Sequence, residues 1–312
     1  MLLHDLPDFS DLIDVAARNE QIDPGLVEKD YWIMHCLWGL QQDGFTFELK
    51  GRTSLSKGYG LIDRFSEDVD ILIHPDTDLK YGPNHTRAAH IAARLAFFEG
   101  LTKSIEIPGI ASVERDTAFD DTRYYRGAGI RLQYKPIHPL PDGLKEGILL
   151  EAGFDQVAPN RPCTISSRAY DPAVENEIAE LIDNRAINVP CYEPGYTLVE
   201  KLQTISTKYR LQQAEGEMPV NFLRHYYDIY CLLGDAAVKD FIGTEAYLVH
   251  KGKRFRSEDN PNLTKNEAFL LSDSAKRKRY VETYASTRAL YYRDQIEFDA
   301  ILKRITEFAP QL

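Results

Sequence analysis

Two carboxylates, Asp68 and Asp70, stand two residues apart in the run DVDILIH at residues 68 to 74. In a strand both project from one face, while Val69, Ile71 and Ile73 project from the other, into a core. Neighbouring carboxylates repel. A site that keeps both ionised usually holds a divalent cation, and ligands that are all oxygen suit magnesium or manganese. A third acid, Glu151, interrupts the apolar stretch GILLEAGF, whose other face carries Ile148, Leu150, Ala152 and Phe154. A carboxylate there is costly unless it is compensated, so Glu151 completes a metal site, pairs with an arginine, or meets solvent at a strand end. Upstream, Gly51 ends a strand and is followed by Thr53, Ser54 and Ser56. Glycine lets backbone approach a phosphate, and hydroxyls with the free amides of a following helical turn can bind its oxygens.

The elements that must position these groups are legible from hydrophobic period. Ser10 is read as the cap of a first helix, and Asp23-Pro24 as the cap and first position of a second that stops near Gly44. Alternation of Phe45, Phe47 and Leu49 with polar residues predicts a strand. The DVDILIH strand follows, then a helix opened by Asn84 or Thr86 and ending at Gly100. Strands are expected over about 104 to 116, 122 to 136 and 147 to 154. Turn signals at Asp120-Asp121 and Pro141-Asp142-Gly143 favour antiparallel hairpins. The first half is therefore an α/β (α+β) sandwich with a mixed sheet, assigned to residues 1–165. Residues 166–312 read as mainly helical, and almost throughout after Tyr170. One helix starts with a Thr197/Glu200 capping box and places Leu198, Leu202, Ile205 and Tyr209 on one face; another, over 219 to 233, turns Phe222, Tyr226, Ile229 and Leu233 inward. Residues 251 to 267 read as a mobile loop.

The chain has 312 residues, 37 Lys and Arg against 48 Asp and Glu, and a formal charge of −11. That balance excludes a protein that coats nucleic acid through bulk positive charge. Residues 248 to 308 run the other way, with 13 Lys and Arg against 9 Asp and Glu. Two basic clusters lie there: Lys251, Lys253, Arg254 and Arg256 around Phe255, and Lys276, Arg277, Lys278 and Arg279 before Tyr280. Such clusters hold RNA phosphates, or are ordinary solvated faces. The paired tyrosines, among them Tyr124-Tyr125 and Tyr226-Tyr227, read as packing. Four widely spaced cysteines suggest free thiols. The N-terminus lacks the basic and apolar regions of a signal peptide, and no apolar run reaches membrane length. A cytoplasmic protein is expected. No histidine pair shows metal-ligand spacing; His85 and His90, five apart in a helix, would lie on different faces.

In combination these segments resemble the polymerase-beta-like nucleotidyltransferases and, more narrowly, the AbiEii toxins of type IV toxin/antitoxin systems. The matching phrases are E-K-D-Y at Glu28 to Tyr31, K-G-G-T-S-L at Lys50 to Leu55 and R-F-S-x-D-x-D at Arg64 to Asp70. E-K-L follows at Glu200 to Leu202, and R-D-x-x-D-L-Y at Arg224 to Tyr230. Two departures matter: Arg52 replaces the second glycine, and His225 replaces an aspartate.

The resemblance implies a nucleotidyltransferase core followed by a helical domain that completes an active-site cleft. It implies transfer of a nucleoside monophosphate from an NTP to an acceptor, with RNA such as a tRNA 3′ end as acceptor and an antitoxin as partner. Asp68, Asp70 and Glu151 would bind Mg2+ or Mn2+, and Glu151 could help to deprotonate the acceptor. Gly51, Arg52, Thr53, Ser54, Ser66 and Lys201 would bind nucleotide. Lys201 and Asp228 enter the catalytic set through the resemblance alone; by residue type, Lys201 reads as a surface lysine beside Thr204 and Lys208, and Asp228 as the i,i+4 partner of Arg224. The same core would also serve a small-molecule or protein acceptor, or a catalytically silent nucleotide-binding module. The basic clusters distinguish an RNA acceptor from a small one.

Overall fold

The computed structural model describes all residues except 66–67, 76–77, 142–143, 156–157, 177, 179, 220, 289–290 and 293. The chain forms two compact units, one of residues 1–58 with 65–192 and the other of residues 59–64 with 193–312.

The first unit opens with α1 (Phe9–Glu20) and α2 (Pro24–Gln42). Asp23 caps α2 by accepting from the Gly25 amide at 2.9 Å, with Pro24 at the first position. The cap expected at Ser10 is not one: α1 already starts at Phe9, and the Ser10 hydroxyl faces His138. Seven strands follow: β1 (Thr46–Lys50), β2 (Asp68–His74), β3 (Ile110–Arg115), β4 (Gly127–Tyr134), β5 (Ile148–Gly153), β6 (Asn160–Ile165) and β7 (Ala186–Tyr192). They form one mixed sheet of order β3-β4-β5-β2-β1-β7-β6. The β3/β4 and β4/β5 pairs are antiparallel, as the turn signals suggest, and β2 and β5 pair in parallel. Of the second turn signal, Asp142 and Gly143 lie outside the described residues.

Between β1 and β2 the chain makes a helical turn, α3 (Gly51–Thr53), continued through Ser54–Gly58. Helix α4 (Ala88–Ser104) starts later than Asn84 or Thr86 and runs past Gly100, which is tolerated because nothing crowds that position. The short α5 (Tyr170–Glu175) precedes β7. Strand β7 corrects the expectation of helix almost throughout beyond Tyr170. Its buried Ala186, Val189, Cys191 and Tyr192 break strict alternation, because the strand lies inside the sheet between β1 and β6.

Within α2 the whole Glu28 to Tyr31 phrase is buried. Glu28 accepts from the amides of Ile137 and His138, Lys29 donates to the Lys145 carbonyl, and Asp30 pairs with Lys57 at 2.6 Å. These acids and this base are fasteners between α2 and two connections, β4–β5 and β1–β2. His35 is equally buried: Nε2 lies 2.8 Å from the Pro108 carbonyl and Nδ1 lies 2.9 Å from Asn184. Burial, opposed by the Pro108 carbonyl, pushes the His35 imidazole down to about 4. The unfolded chain therefore takes up a proton near pH 6.5 that the folded protein refuses, and stability falls as pH drops from about 6.5 to about 4. His4, lowered mainly by burial, acts in the same sense. Urea midpoints across that window should slope less in His35→Gln than in the wild type; equal slopes would remove His35 as the cause.

The second unit contains α6 (Pro194–Glu215), α7 (Arg224–Leu232), α8 (Ala236–Phe241), α9 (Glu245–Arg254), α10 (Glu267–Leu270), α11 (Ser274–Ala285) and α12 (Phe298–Phe308). Leu198, Leu202 and Ile205 of α6 are fully buried, as are Phe222, Tyr226 and Ile229 at α7. The capping box at Thr197 does not form, because α6 begins three residues earlier at Pro194 and Thr197 is an interior residue. Nor is 251 to 267 a loose loop: α9 runs to Arg254, and buried Asp259 accepts from Arg210 at 2.8 Å and from the Thr207 hydroxyl. Among the described residues no helix is long and apolar enough to cross a membrane.

Candidate active site

Strand pairing brings the three acids together. Asp70 lies directly opposite Glu151 in the β2/β5 register, and Asp68 lies two residues along, opposite Leu149. Glu151 sits between strands on both sides, so burial, then Asp70, then Asp68 push its carboxyl up to about 8. A buried carboxylate whose charge is disfavoured by two others on the adjacent strand is the kind of electrostatic arrangement that a cation relieves.

The turn after β1 completes the geometry. Lys50 is the register partner of Asp70 in the antiparallel β1/β2 pair, so Gly51 faces the Asp70 side chain. Gly51 has φ +67°, and a Cβ there would come within 2.2 Å of Asp70 Oδ2. Its glycine is thus required by Asp70 itself, a reason additional to phosphate approach. Thr53 Oγ1 donates to the Asp68 carbonyl at 2.6 Å and pins the start of β2. The Ser54 hydroxyl is buried and has no hydrogen-bond partner among the described residues. The Asp30–Lys57 pair anchors the same turn to α2, with Lys57 also donating to the Ser166 carbonyl at 2.7 Å. Ser66 lies outside the described residues.

Arg52 is the feature residue types alone do not resolve. Its Nη2 donates to Asp68 Oδ2 at 2.7 Å, with both side chains largely buried. A guanidinium is therefore the counter-charge of one of the three acids. Among the described residues no group of three His, Cys, Asp or Glu side chains is arranged to hold a metal ion. The donor chemistry nonetheless fits a hard divalent cation, since all three groups are carboxylates and their mutual repulsion is what such an ion relieves. Arg52→Gly, which restores a second glycine, should lower the metal-free melting temperature, by the equivalent of about 1 to 3 kcal/mol. Mg2+ or Mn2+ should then raise it more than in the wild type. Thermal shifts with and without metal check this; an equal metal response would show that Arg52 does not compete for Asp68.

A second cluster lies in the helical unit. Arg64 makes a two-pronged bridge to Asp228, 2.8 Å to Oδ1 and 2.7 Å to Oδ2, with both side chains 0% exposed. Lys201 Nζ lies 3.0 Å from Asp228 Oδ2 and 3.4 Å from His225 Nδ1. The carboxylate engages Arg64 and Lys201, whereas Arg224 donates to Asn221. Lys201, at 7% exposure, is not a surface lysine. The Arg64–Asp228 contact spans 164 residues and has no local signal in the sequence.

The two basic clusters are largely committed to neighbours. Lys251 donates to the C-terminal Leu312 carbonyl oxygen, and Arg254 pairs with Glu200 at 2.9 Å. Lys276 donates to Tyr209 and Gln213, Arg277 pairs with Asp299, Lys278 with Glu282, and Arg279 reaches the Gly216 carbonyl. Lys253, Arg256, Lys278 and Arg279 are exposed.

No curated protein matches the chain. A solved structure described as an antigenic nucleotidyltransferase-like protein from Paracoccidioides brasiliensis is 14% identical to it. That match covers 72% of this chain and 87% of the other, with a TM-score of 0.36. The family described as "Nucleotidyl transferase AbiEii toxin, Type IV TA system" matches residues 34–304. With nearly the whole chain inside that match, from α2 through the three acids to α12, the protein belongs to the AbiEii family of nucleotidyltransferase toxins.

Proposed function

We propose that this nucleotidyltransferase moves a nucleoside monophosphate from an NTP to a hydroxyl of an RNA, such as a tRNA 3′ end, with release of pyrophosphate. The observation that carries this reading is the opposition of Asp70 to Glu151, with Asp68 on the same strand and Glu151 pushed up to about 8. Asp68, Asp70 and Glu151 would hold Mg2+ or Mn2+. When bound, such ions supply charge stabilisation to the attacking and leaving oxygens of an in-line displacement. The protein's own part is then positioning. Gly51, Thr53 and Ser54 present backbone and a buried hydroxyl to phosphate oxygens, and Ser66 joins them by its place in the motif. Arg52, which pairs with Asp68, would be available to a triphosphate oxygen wherever that carboxylate is given over to a cation. Lys201 contributes a point charge for phosphate, and Asp228 orients it.

Glu151, whose carboxyl is pushed up by burial and then by Asp70 and Asp68, would give up its proton where a cation offsets them, and the carboxylate could then accept the acceptor's proton. On the acceptor side, Lys253 and Arg256 are the exposed members of the first basic cluster. A cognate antitoxin is the partner the family implies, and a cytoplasmic location fits an RNA acceptor.

The test is incubation of the purified protein with each labelled NTP, Mg2+ and total RNA. A labelled RNA band that depends on metal is expected. Labelled protein or small molecule with unlabelled RNA would reassign the acceptor. NTP binding with no product in any acceptor pool would make this a silent nucleotide-binding module, with Arg52 on Asp68 as its cause.

A further inference from the structure

The first unit carries a concentration of positive charge that neither basic cluster accounts for. Arg94, on α4, is 0% exposed, and its acceptors are all backbone carbonyls: Tyr124 at 2.7 Å, Lys80 at 2.5 Å and His85 at 3.1 Å. Its remaining Nη2 is buried with no partner among the described residues. Carbonyls orient a guanidinium but do not neutralise it, so a full charge persists beneath the loop that leads into α4.

Other cations surround it. Arg126 donates to the Pro83 carbonyl at 3.1 Å, and its guanidinium lies 4.7 Å from the Tyr124 ring centroid, with that of Arg123 at 4.9 Å. The tyrosine thus braces two arginines. Arg87 is exposed at the N-cap of α4 and makes no side-chain cap, so the first-turn amides of this 17-residue helix lack the usual side-chain acceptor. His85 and His90 face each other with ring centroids 5.2 Å apart, because His85 precedes the helix instead of lying within it. The Nδ1 atoms of both are buried without a partner among the described residues. The His90 imidazole is held below its ordinary value, first by burial and then by His85, Arg87, Arg94 and Lys80. Such a field repels a metal ion and attracts an anion.

The acids nearby are engaged elsewhere. Asp78 pairs with Lys80 at 2.7 Å, and the Asp121 carboxylate accepts from the amides of Arg123, Tyr124 and Arg126. An uncapped helix N-terminus, a buried guanidinium without a carboxylate and an exposed arginine at the rim together make a phosphate site.

We propose that the N-terminal end of α4, with Arg87, Arg94, Arg123 and Arg126, binds a backbone phosphate of the RNA acceptor. This rests on RNA being the acceptor, and it adds an acceptor-holding site on the nucleotidyltransferase unit itself. Arg87 and Arg123 are the positions to test, since both are exposed. A glutamate at the N-cap of α4 also favours the helix, so weakened binding would not reflect a weakened fold.

The experiment measures binding of fluorescein-labelled bulk tRNA to the full-length wild type and to Arg87→Glu/Arg123→Glu by anisotropy from 50 to 200 mM salt, beside thermal melts. The variant should bind about tenfold more weakly, with the melting temperature unchanged. Its plot of log affinity against log salt should be shallower by about 1 for each phosphate that is no longer neutralised. Arg87→Lys should retain most of the affinity. Affinity within twofold and an unchanged slope would overturn the site while leaving RNA as acceptor. A variant that loses thermal stabilisation by inorganic phosphate but binds tRNA normally would overturn it in favour of a free-anion site. Wild-type protein that neither binds nor labels RNA would overturn the acceptor reading and this site with it.

Discussion

Asp68→Ala/Asp70→Ala loses nucleotide transfer by about 10³-fold or more, and expression of the variant no longer restrains growth of a bacterial host. The expectation follows from what the two carboxylates are asked to supply. Phosphoryl chemistry leaves the protein little covalent work, so holding cations against the reacting oxygens carries several kcal/mol of the barrier, and each 1.36 kcal/mol is a factor of about ten. The two acids act oppositely on the fold, because Asp68→Ala strips the largely buried Arg52 of its carboxylate and costs about 1–3 kcal/mol. Asp70 faces Glu151 and raises its carboxyl, so loss of Asp70 relieves repulsion in the metal-free protein. The urea midpoint of Asp70→Ala alone should hold or rise, and that of the double variant should fall, while transfer collapses in both. Transfer at more than a tenth of the wild-type rate would sink the assignment of this site.

The second large effect is on stability. Asp228→Ala should destabilise the helical unit by about 3–5 kcal/mol, since it removes the carboxylate that Arg64 and Lys201 share and leaves their charges in a site that excludes water. Lys201→Met should cost much less, because the two-pronged Arg64–Asp228 bridge survives it. If Lys201 also meets phosphate, that variant raises the KM for NTP with its melting temperature nearly intact. Urea denaturation of the two variants beside NTP titrations separates the roles. A loss below about 1 kcal/mol in Asp228→Ala would show that the cluster is not a structural clasp.

Much of this molecule is written locally. Period-two alternation and proline or glycine punctuation locate β2, β4 and β5, because each has an apolar face and a bounded length. The spacing of Asp68 and Asp70 needs only strand geometry to place both acids on one side. Helix starts are less legible: Ser10, Asn84 or Thr86, and Thr197 are hydroxyl or amide residues with the right chemistry for a cap, yet none of them is one. The observed N-caps at these three helices, Asp8, Arg87 and Glu193, make no side-chain cap at all. Packing sets those starts, and packing outweighs the modest free energy of a cap.

By itself, then, the sequence determined the class of chemistry: paired acids on a strand, a glycine turn before them, and a family pattern from Glu28 to Tyr230. The tertiary structure decided the counter-charges. Arg52 found Asp68, Arg64 and Lys201 found Asp228, Asp30 found Lys57, and Arg94 was left among carbonyls beside the start of α4. These choices join residues too far apart in sequence for any local period to register. The pairings depend on burial, which makes an uncompensated charge costly and so drives Arg52, Arg64, Lys201 and Lys57 onto carboxylates once the chain is folded, whereas Arg94 meets only carbonyls.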